Sequence, residues 1–359
     1  MHVPTQAALQ TIMPALRQQH EKPDAPAAKI EAGPASHGAS NSQKAEAVTL
    51  KTSRETAPVG GMTRERLLAE INQDVPPGID WKAGAHRYLS DYLRKAGSEK
   101  VRSYVLAKPF VPFEVGAGDY ALFEAVYYLD NLVNLIRLLK MPAESKVLDV
   151  ACGAGWVSHY LTKFNYKTWG FDISSDFVDL VRERIASDDT LLPVNRSEVE
   201  QRFRVHDIEV DVLPSGFGPT SGFDAIVLES CLHHFMDPIT ALTNLADVLA
   251  PGGLMVIIEG ENRKGPIKEE FVRVMRETET LERPYPRELL VQVLKMAGLP
   301  ANEFVGAANG WVGTRSPFAR DWGSILAQAT EAANIVVCAK DTASLARIFP
   351  YLEGTGSSP

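Results

Sequence analysis

No stretch of the 359-residue chain is apolar for long enough to cross a bilayer. The richest apolar run, Tyr120 to Leu139, is broken by Glu124, Asp130, Asn131, Asn134 and Arg137, so it reads as an amphipathic or core helix. Cysteine is scarce. Cys152, Cys231 and Cys338 are too few and too scattered for a disulfide framework or a zinc site, and they fit reduced thiols in a cytoplasmic protein. A basic start followed by an apolar stretch is missing from the N-terminus, so no secretory signal is expected and the cytoplasm is the default location. No block rich in Lys or Arg occurs, and 45 acidic against 37 basic side chains give a formal charge of -8. A long nucleic-acid footprint needs clustered positive charge to displace counterions, so nucleic acid is not the expected partner. Internal repeats are absent as well.

What remains is the composition of a soluble globular protein, 45% hydrophobic and 23% charged, in a chain able to bury a sizeable core as one large domain or two ordinary ones. Residues 1–61 are dominated by Ala, Pro, Ser, Gln and Lys. Such a segment buries too little surface to offset its ordering entropy and reads as a disordered tail, with only Ala8 to Leu16 suited to a transient helix. Over 62–141 the pattern turns helical, and the spacing predicts helices at Arg64 to Asn72, Trp81 to Lys95 and Tyr120 to Leu139. The Pro-interrupted stretch Tyr104 to Phe113 between them is expected to be extended. This region reads as a helical extension that covers a ligand or builds a substrate wall, or as a stabilising appendage.

Over 142–345 short apolar runs alternate with helical patterns, the signature of a doubly wound α/β domain with a mostly parallel sheet. Strands are expected at Lys146 to Val150, Lys167 to Phe171, Phe203 to His206, Phe223 to Leu228 and Leu254 to Ile258. Asp237 and Pro238 suit the start of a helix, which ends near Ala250 before Pro251-Gly252-Gly253; a further helix runs from Arg287 to Ala297 and stops at Gly298. Two late strand candidates, Glu303 to Ala308 and Asn334 to Lys340, lack a crossover helix of the usual kind before the last. Residues 346–359 read as a C-terminal tail.

Ligands of such sheets bind at the carboxyl ends of the strands, beside the point where strand order reverses. The loop after the first strand, Ala151-Cys-Gly-Ala-Gly155, enters a helix near Trp156. Gly153 and Gly155 allow a tight turn and close backbone approach to a ligand at the helix N-terminus. The second strand runs into Asp172, 21 residues beyond Ala151, about the spacing at which an acid meets ribose hydroxyls; a helix-capping role is the alternative. His233 and His234 follow the fourth strand, where either is a candidate general base or a packing residue. Adjacent positions are expected to point different ways, so no metal site is expected from the pair.

The segment Val147-Leu-Asp-Val-Ala-Cys-Gly-Ala-Gly155 resembles the first motif of class I S-adenosylmethionine (SAM) dependent methyltransferases. Gly170-Phe-Asp172, His206-Asp207-Ile208, the run Phe223 to Pro238 and Leu249 to Leu254 resemble later motifs in the family's order, over roughly Lys146 to Lys340. The resemblance implies a seven-stranded Rossmann-like sheet, SAM as cofactor and S-adenosylhomocysteine as product. Carried over residue by residue, Asp149 and Gly153 line the methionine end with Ala151, Gly155 and Trp156 in the same loop. Asp172 and Ile173 hold the ribose, Asp207 and Ile208 flank the adenine, and Glu229 or Ser230 sits near the sulfonium. Many members have glycine where this chain has Ala151, which bears on loop shape. A nicotinamide dehydrogenase shares the sheet and the ribose acid, with Ser158 nearly serving as the third small residue of its fingerprint, but it leaves the Asp207 segment, the His-His-Phe loop and Pro251-Gly-Gly unexplained. The segment Glu282 to Leu290 resembles the corresponding region of small-molecule and glycan methyltransferases. The expected acceptor is therefore a small molecule or saccharide, most readily on oxygen, with nitrogen or carbon still open. A non-catalytic binding or scaffold protein, or an enzyme acting on RNA or protein, is the alternative. Tyr120, Tyr127, Tyr128, Trp156 and Trp311 are candidates for an aromatic pocket.

Overall fold

The computed structural model describes residues 61–96, 102, 105–110, 119–260, 266–283, 285–305 and 333–349. The expected tail before Gly61, Trp311 and the end of the C-terminal tail lie outside the described residues, as do the side chains of Tyr120 and Tyr127.

Among the described residues seven strands form one sheet: β1 (Lys146–Val150), β2 (Lys167–Asp172), β3 (Phe203–Val205), β4 (Phe223–Glu229), β5 (Leu249–Gly260), β6 (Ala301–Val305) and β7 (Ala333–Ala339). Their order is β3-β2-β1-β4-β5-β7-β6. The first five pair in parallel, and β7 inserts antiparallel between β5 and β6. The crossover helix missing from the sequence before the last strand is thereby explained, since only a parallel neighbour requires one. Strand order reverses between β1 and β4, which makes their carboxyl ends the ligand crevice.

Eleven helices accompany the sheet among the described residues: α1 (Arg64–Ile71), α2 (Trp81–Ala96), α3 (Asp119–Leu139), α4 (Trp156–Lys163), α5 (Ser175–Ala186), α6 (Pro193–Ser197), α7 (Val199–Arg202), α8 (Pro238–Asp247), α9 (Pro266–Thr278), α10 (Arg287–Met296) and α11 (Thr342–Ala346). The period-2 alternation of the central strands divides the core. On β4, Ala225 and Val227 pack with Leu135 and Leu139 of α3 and Leu161 of α4, whereas Ile226 and Leu228 pack with Leu67 and Ile71 of α1, Leu242 of α8 and Leu290 of α10. The N-terminal helices thus share the domain's core, one on each face of the sheet.

Capping at α8 follows the sequence: the Asp237 carboxylate accepts from the Thr240 amide at 3.0 Å, and Pro238 fills the first position. The stretch expected to be extended before α3 departs from it. Val105 to Ala107 form a helical turn, because Arg184 of α5 donates to the carbonyls of Val105 (2.7 Å) and Lys108 (3.1 Å), which such a turn presents on one side. The Lys108–Pro109 peptide that follows is cis.

Gly155 caps α4 with φ +70°, and a β-carbon there would lie 2.0 Å from Cγ2 of Val181 on α5. Its small size therefore lets α4 and α5 close against each other. Gly155→Ala is expected to lower stability by about 2–4 kcal/mol in urea unfolding, from overpacking plus the left-handed backbone penalty. Gly216→Ala, at φ +80° with nothing within 4 Å, should cost only the backbone share, about 1–2 kcal/mol.

Candidate functional site

The adjacent parallel strands β2, β1, β4 and β5 each carry a carboxylate at or near their carboxyl ends: Asp172, Asp149, Glu229 and Glu259. Asp149, Asp172 and Glu259 are buried and Glu229 is half-buried. Burial first, and then mutual repulsion, pushes Asp149 up to about 7, with Glu229 and Asp172 contributing the repulsion. Burial raises Asp172 to about 6, against hydrogen bonds from the Ser174 and Gly153 amides, and burial also raises Glu229. The crevice is accordingly a buried negative surface suited to a cationic ligand.

Asp172 joins the loops that follow β1 and β2. One of its oxygens accepts from the Gly153 amide at 2.9 Å and the other from the Ser174 amide at 2.9 Å, which leaves lone pairs on both for ligand hydroxyls. Ser174, not Asp172, holds the N-cap position of α5, so the capping alternative does not describe this acid. Gly153 has φ +52° and open space where a β-carbon would stand, as required for backbone contact with a ligand. Ala151 adopts φ +48°, a left-handed conformation that glycine reaches more readily than alanine. Ser158 on α4 donates to Asp149 at 2.5 Å and fixes that carboxylate beneath the loop.

Other expected cofactor residues are spread between pocket and core. Ile173 is half-buried at the end of β2. Trp156 and Ile208 are buried in the two core layers, Trp156 with its ring 5.2 Å from that of Tyr128, so their side chains pack behind the loops. Asp207 is held by Lys82 of α2 at 2.8 Å, and the same ammonium pairs with Glu209. This ion pair places α2 over the His206–Glu209 segment, a long-range contact that no local motif encodes. Arg184 also donates to the Ala154 carbonyl at 2.8 Å, clasping the glycine loop to the Val105–Lys108 turn. The ammonium of Lys108 lies 4.6 Å from the Tyr128 ring centre, and its charge lowers Glu229.

Beyond β4 the chain turns sharply. Ser230 has φ +53° and donates through its hydroxyl to Glu229 at 3.1 Å, and Asn131 of α3 donates to the same carboxylate at 3.2 Å. Leu232–His234 form a single 3-10 turn. Glu259, which sequence reasoning missed, organises it by accepting from the Leu232 amide at 2.5 Å and pairing with Nδ1 of His233 at 2.7 Å. Its only signal in the sequence is an acid directly after the apolar run Leu254 to Ile258. Tyr285 donates to the Leu232 carbonyl at 3.1 Å and Nδ1 of His234 donates to the Leu281 carbonyl at 2.5 Å.

The two imidazoles, expected to point apart, have ring centres 4.0 Å apart, with Glu259 holding Nδ1 of His233 and the Leu281 carbonyl holding Nδ1 of His234. Their electrostatics differ. Burial opposes charge on His233, but Glu259 and then Glu282 outweigh it and raise the ring to about 9. Protein packed behind His234 and the charge of its neighbour hold that ring well below the ordinary imidazole value. At neutral pH His233 therefore carries a proton, while His234 is uncharged.

Residues 123–301, about half the chain, match a family model described as a methyltransferase domain. An uncharacterized methyltransferase of Schizosaccharomyces pombe is 25% identical over 191 residues, covering 51% of this chain and 63% of the relative. A protein of Talaromyces variabilis named as an S-adenosyl-L-methionine-dependent Diels-Alderase is 26% identical over 171 residues, 47% of this chain and 51% of the relative. The chain thus spans less than two thirds of each of these relatives. Among solved structures, the magnesium protoporphyrin IX methyltransferase of Synechocystis PCC 6803 with bound SAH is similar with a TM-score of 0.44 and 14% identity, over 73% of this chain and 100% of that one.

Because Asp149 is raised in the folded protein from its ordinary 3.8, its contribution to stability is fully present below about pH 4 and is lost as pH rises through about 7. Asp149→Asn keeps an oxygen to accept from Ser158 and cannot ionise. Its stability relative to wild type should therefore improve between pH 4 and pH 8, by up to about 4 kcal/mol, in urea unfolding at the two pH values. An unchanged difference would contradict the burial argument.

Proposed function

Because the chain belongs to the class I SAM-dependent methyltransferases, we propose that it transfers a methyl group from SAM to an oxygen of a small-molecule or saccharide acceptor, releasing S-adenosylhomocysteine. The observation that carries the cofactor reading is the row of carboxylates on β2, β1, β4 and β5. A sulfonium is a cation, and Asp149 and Glu229 offer it charge while Asp172 offers acceptors to the ribose hydroxyls. The open space at Gly153 admits the ligand against the backbone.

The methyl group of a sulfonium is already activated, so the residues of this chain have mainly to bind, align and exclude water. Lys82 on Asp207 and the Arg184 clasp hold N-terminal elements against the cofactor loops and support the reading of residues 62–141 as a cover. The acceptor's proton is assigned to the 3-10 turn after β4. His233 already holds a proton between Glu259 and Glu282, so it orients the turn and steadies negative charge on the acceptor. His234 keeps Nε2 as a free proton acceptor because its Nδ1–H is committed to Leu281. The net acidic charge and the lack of a basic block disfavour RNA as acceptor.

Incubation with labelled SAM and fractionated extracts, read by mass, tests the reading: one metabolite should gain a methyl group. A product of unchanged mass but altered chromatographic retention would instead favour an intramolecular cycloaddition, the reaction type named for the Talaromyces relative. Calorimetry should show Asp172→Asn binding SAM about 10²-fold more weakly, from the loss of charge-assisted bonds worth roughly 1.5–3 kcal/mol each. Wild-type affinity should fall as pH drops through about 6, because protonated Asp172 loses acceptor capacity. His234→Ala should lower kcat by ~10²–10⁴ with SAM affinity unchanged; equal loss in both would assign the residue to packing.

A further inference from the structure

We propose that His233, His234 and Glu282 form a binding site for a divalent transition-metal cation. One ring nitrogen of each histidine and one Glu282 oxygen lie within 4.8 Å of one another. Both Nδ1 atoms are already committed, that of His233 to the Glu259 carboxylate at 2.7 Å and that of His234 to the Leu281 carbonyl at 2.5 Å. Histidines that ligate metals through Nε2 have this arrangement, in which the other ring nitrogen donates to a carboxylate or backbone carbonyl and sets tautomer and ring orientation. Nε2 of His233 stands 3.5 Å from Oε2 of Glu282, and the turn that carries both rings is anchored by Glu259 on the Leu232 amide and Tyr285 on its carbonyl.

Charge favours the same occupant. The groups around the cluster are Glu259, Glu282 and Arg283, and the Nη1 of Arg283 is turned to Asn72 at 2.8 Å. Ligation displaces the proton that His233 holds between Glu259 and Glu282, and the two carboxylates then outnumber the one guanidinium, leaving an excess negative charge for a dication to neutralise. Two imidazoles and one carboxylate select zinc, cobalt, nickel or iron over magnesium or calcium, which prefer oxygen donors. Ligand atoms around a tetrahedral ion at about 2.0–2.1 Å are ~3.3 Å apart, so closure from 4.8 Å needs side-chain adjustments of about 1.5 Å at most, within reach of the half-buried Glu282. The exposed edge of His234 gives the ion a path in and leaves a coordination position open. A bound ion would take the Nε2 lone pair assigned above to proton acceptance; that consequence rests on the methyl-transfer reading, whereas the site itself does not.

Cobalt(II) titration of the chelator-stripped full chain, followed by visible ligand-field absorption and calorimetry, provides the test. One equivalent should bind and produce these bands. Glu282→Gln should weaken binding by more than 10-fold, as should His234→Gln, whose exposed position keeps the test available if the first variant does not fold. His159→Gln, in a separate His–Asp pair on α4, should bind as wild type does. Absence of stoichiometric binding, or equal binding by wild type and both cluster variants, would overturn the site. SAM titration of the same samples separates the two readings: SAM binding without cobalt rejects only the cation site, and cobalt binding without SAM rejects only methyl transfer.

Discussion

Carboxylates on four neighbouring parallel strands, all at the same edge of the sheet, impose the constraint around which this protein is arranged. Like charges held close in a poorly polarisable interior repel, and each buried oxygen lacking a donor adds a further cost. The chain meets that cost separately at each position. Ser158 donates to Asp149, the Gly153 and Ser174 amides to Asp172, Asn131 and Ser230 to Glu229, and the Leu232 amide and His233 to Glu259. Every one of these donors belongs to a loop or helix bordering the crevice, so satisfying the acids also positions the walls. The remaining negative field favours a cationic ligand, which is how a stability problem becomes a binding determinant.

The same logic extends to the N-terminal helices. α1 and α3 contribute to opposite core layers, while α2 reaches the crevice through Lys82. Arg184 gathers three carbonyls from two separate segments, those of Ala154, Val105 and Lys108, and its own burial lowers it to about 10. A guanidinium satisfied in this way fixes the spacing between the Ala151–Gly155 loop and the Val105–Lys108 turn more firmly than apolar packing alone.

His233 and His234 show how little residue type decides by itself. One lies between two acids and holds a proton; its neighbour donates to a carbonyl beside that charge and stays neutral. A one-turn 3-10 segment makes the difference by giving the adjacent rings different partners while keeping them in contact.

The local determinants were legible in the sequence because they act through near neighbours. The alternating strands, the glycine-bearing loop from Ala151 to Gly155, Asp172 at its spacing and the Asp237–Pro238 helix start all follow from backbone and side-chain preferences over short distances. Those features indicated the doubly wound sheet and the methyl donor. Tertiary structure alone decided the antiparallel insertion of β7, the helical turn at Val105, the ion pair from Lys82 to Asp207 and the partnership of Glu259 with His233. Each of these depends on groups brought together from distant parts of the chain. Hydrogen bonding and charge act over a few ångströms of space, whatever the separation in sequence, so the residue types could be read in advance and their protonation and partners could not.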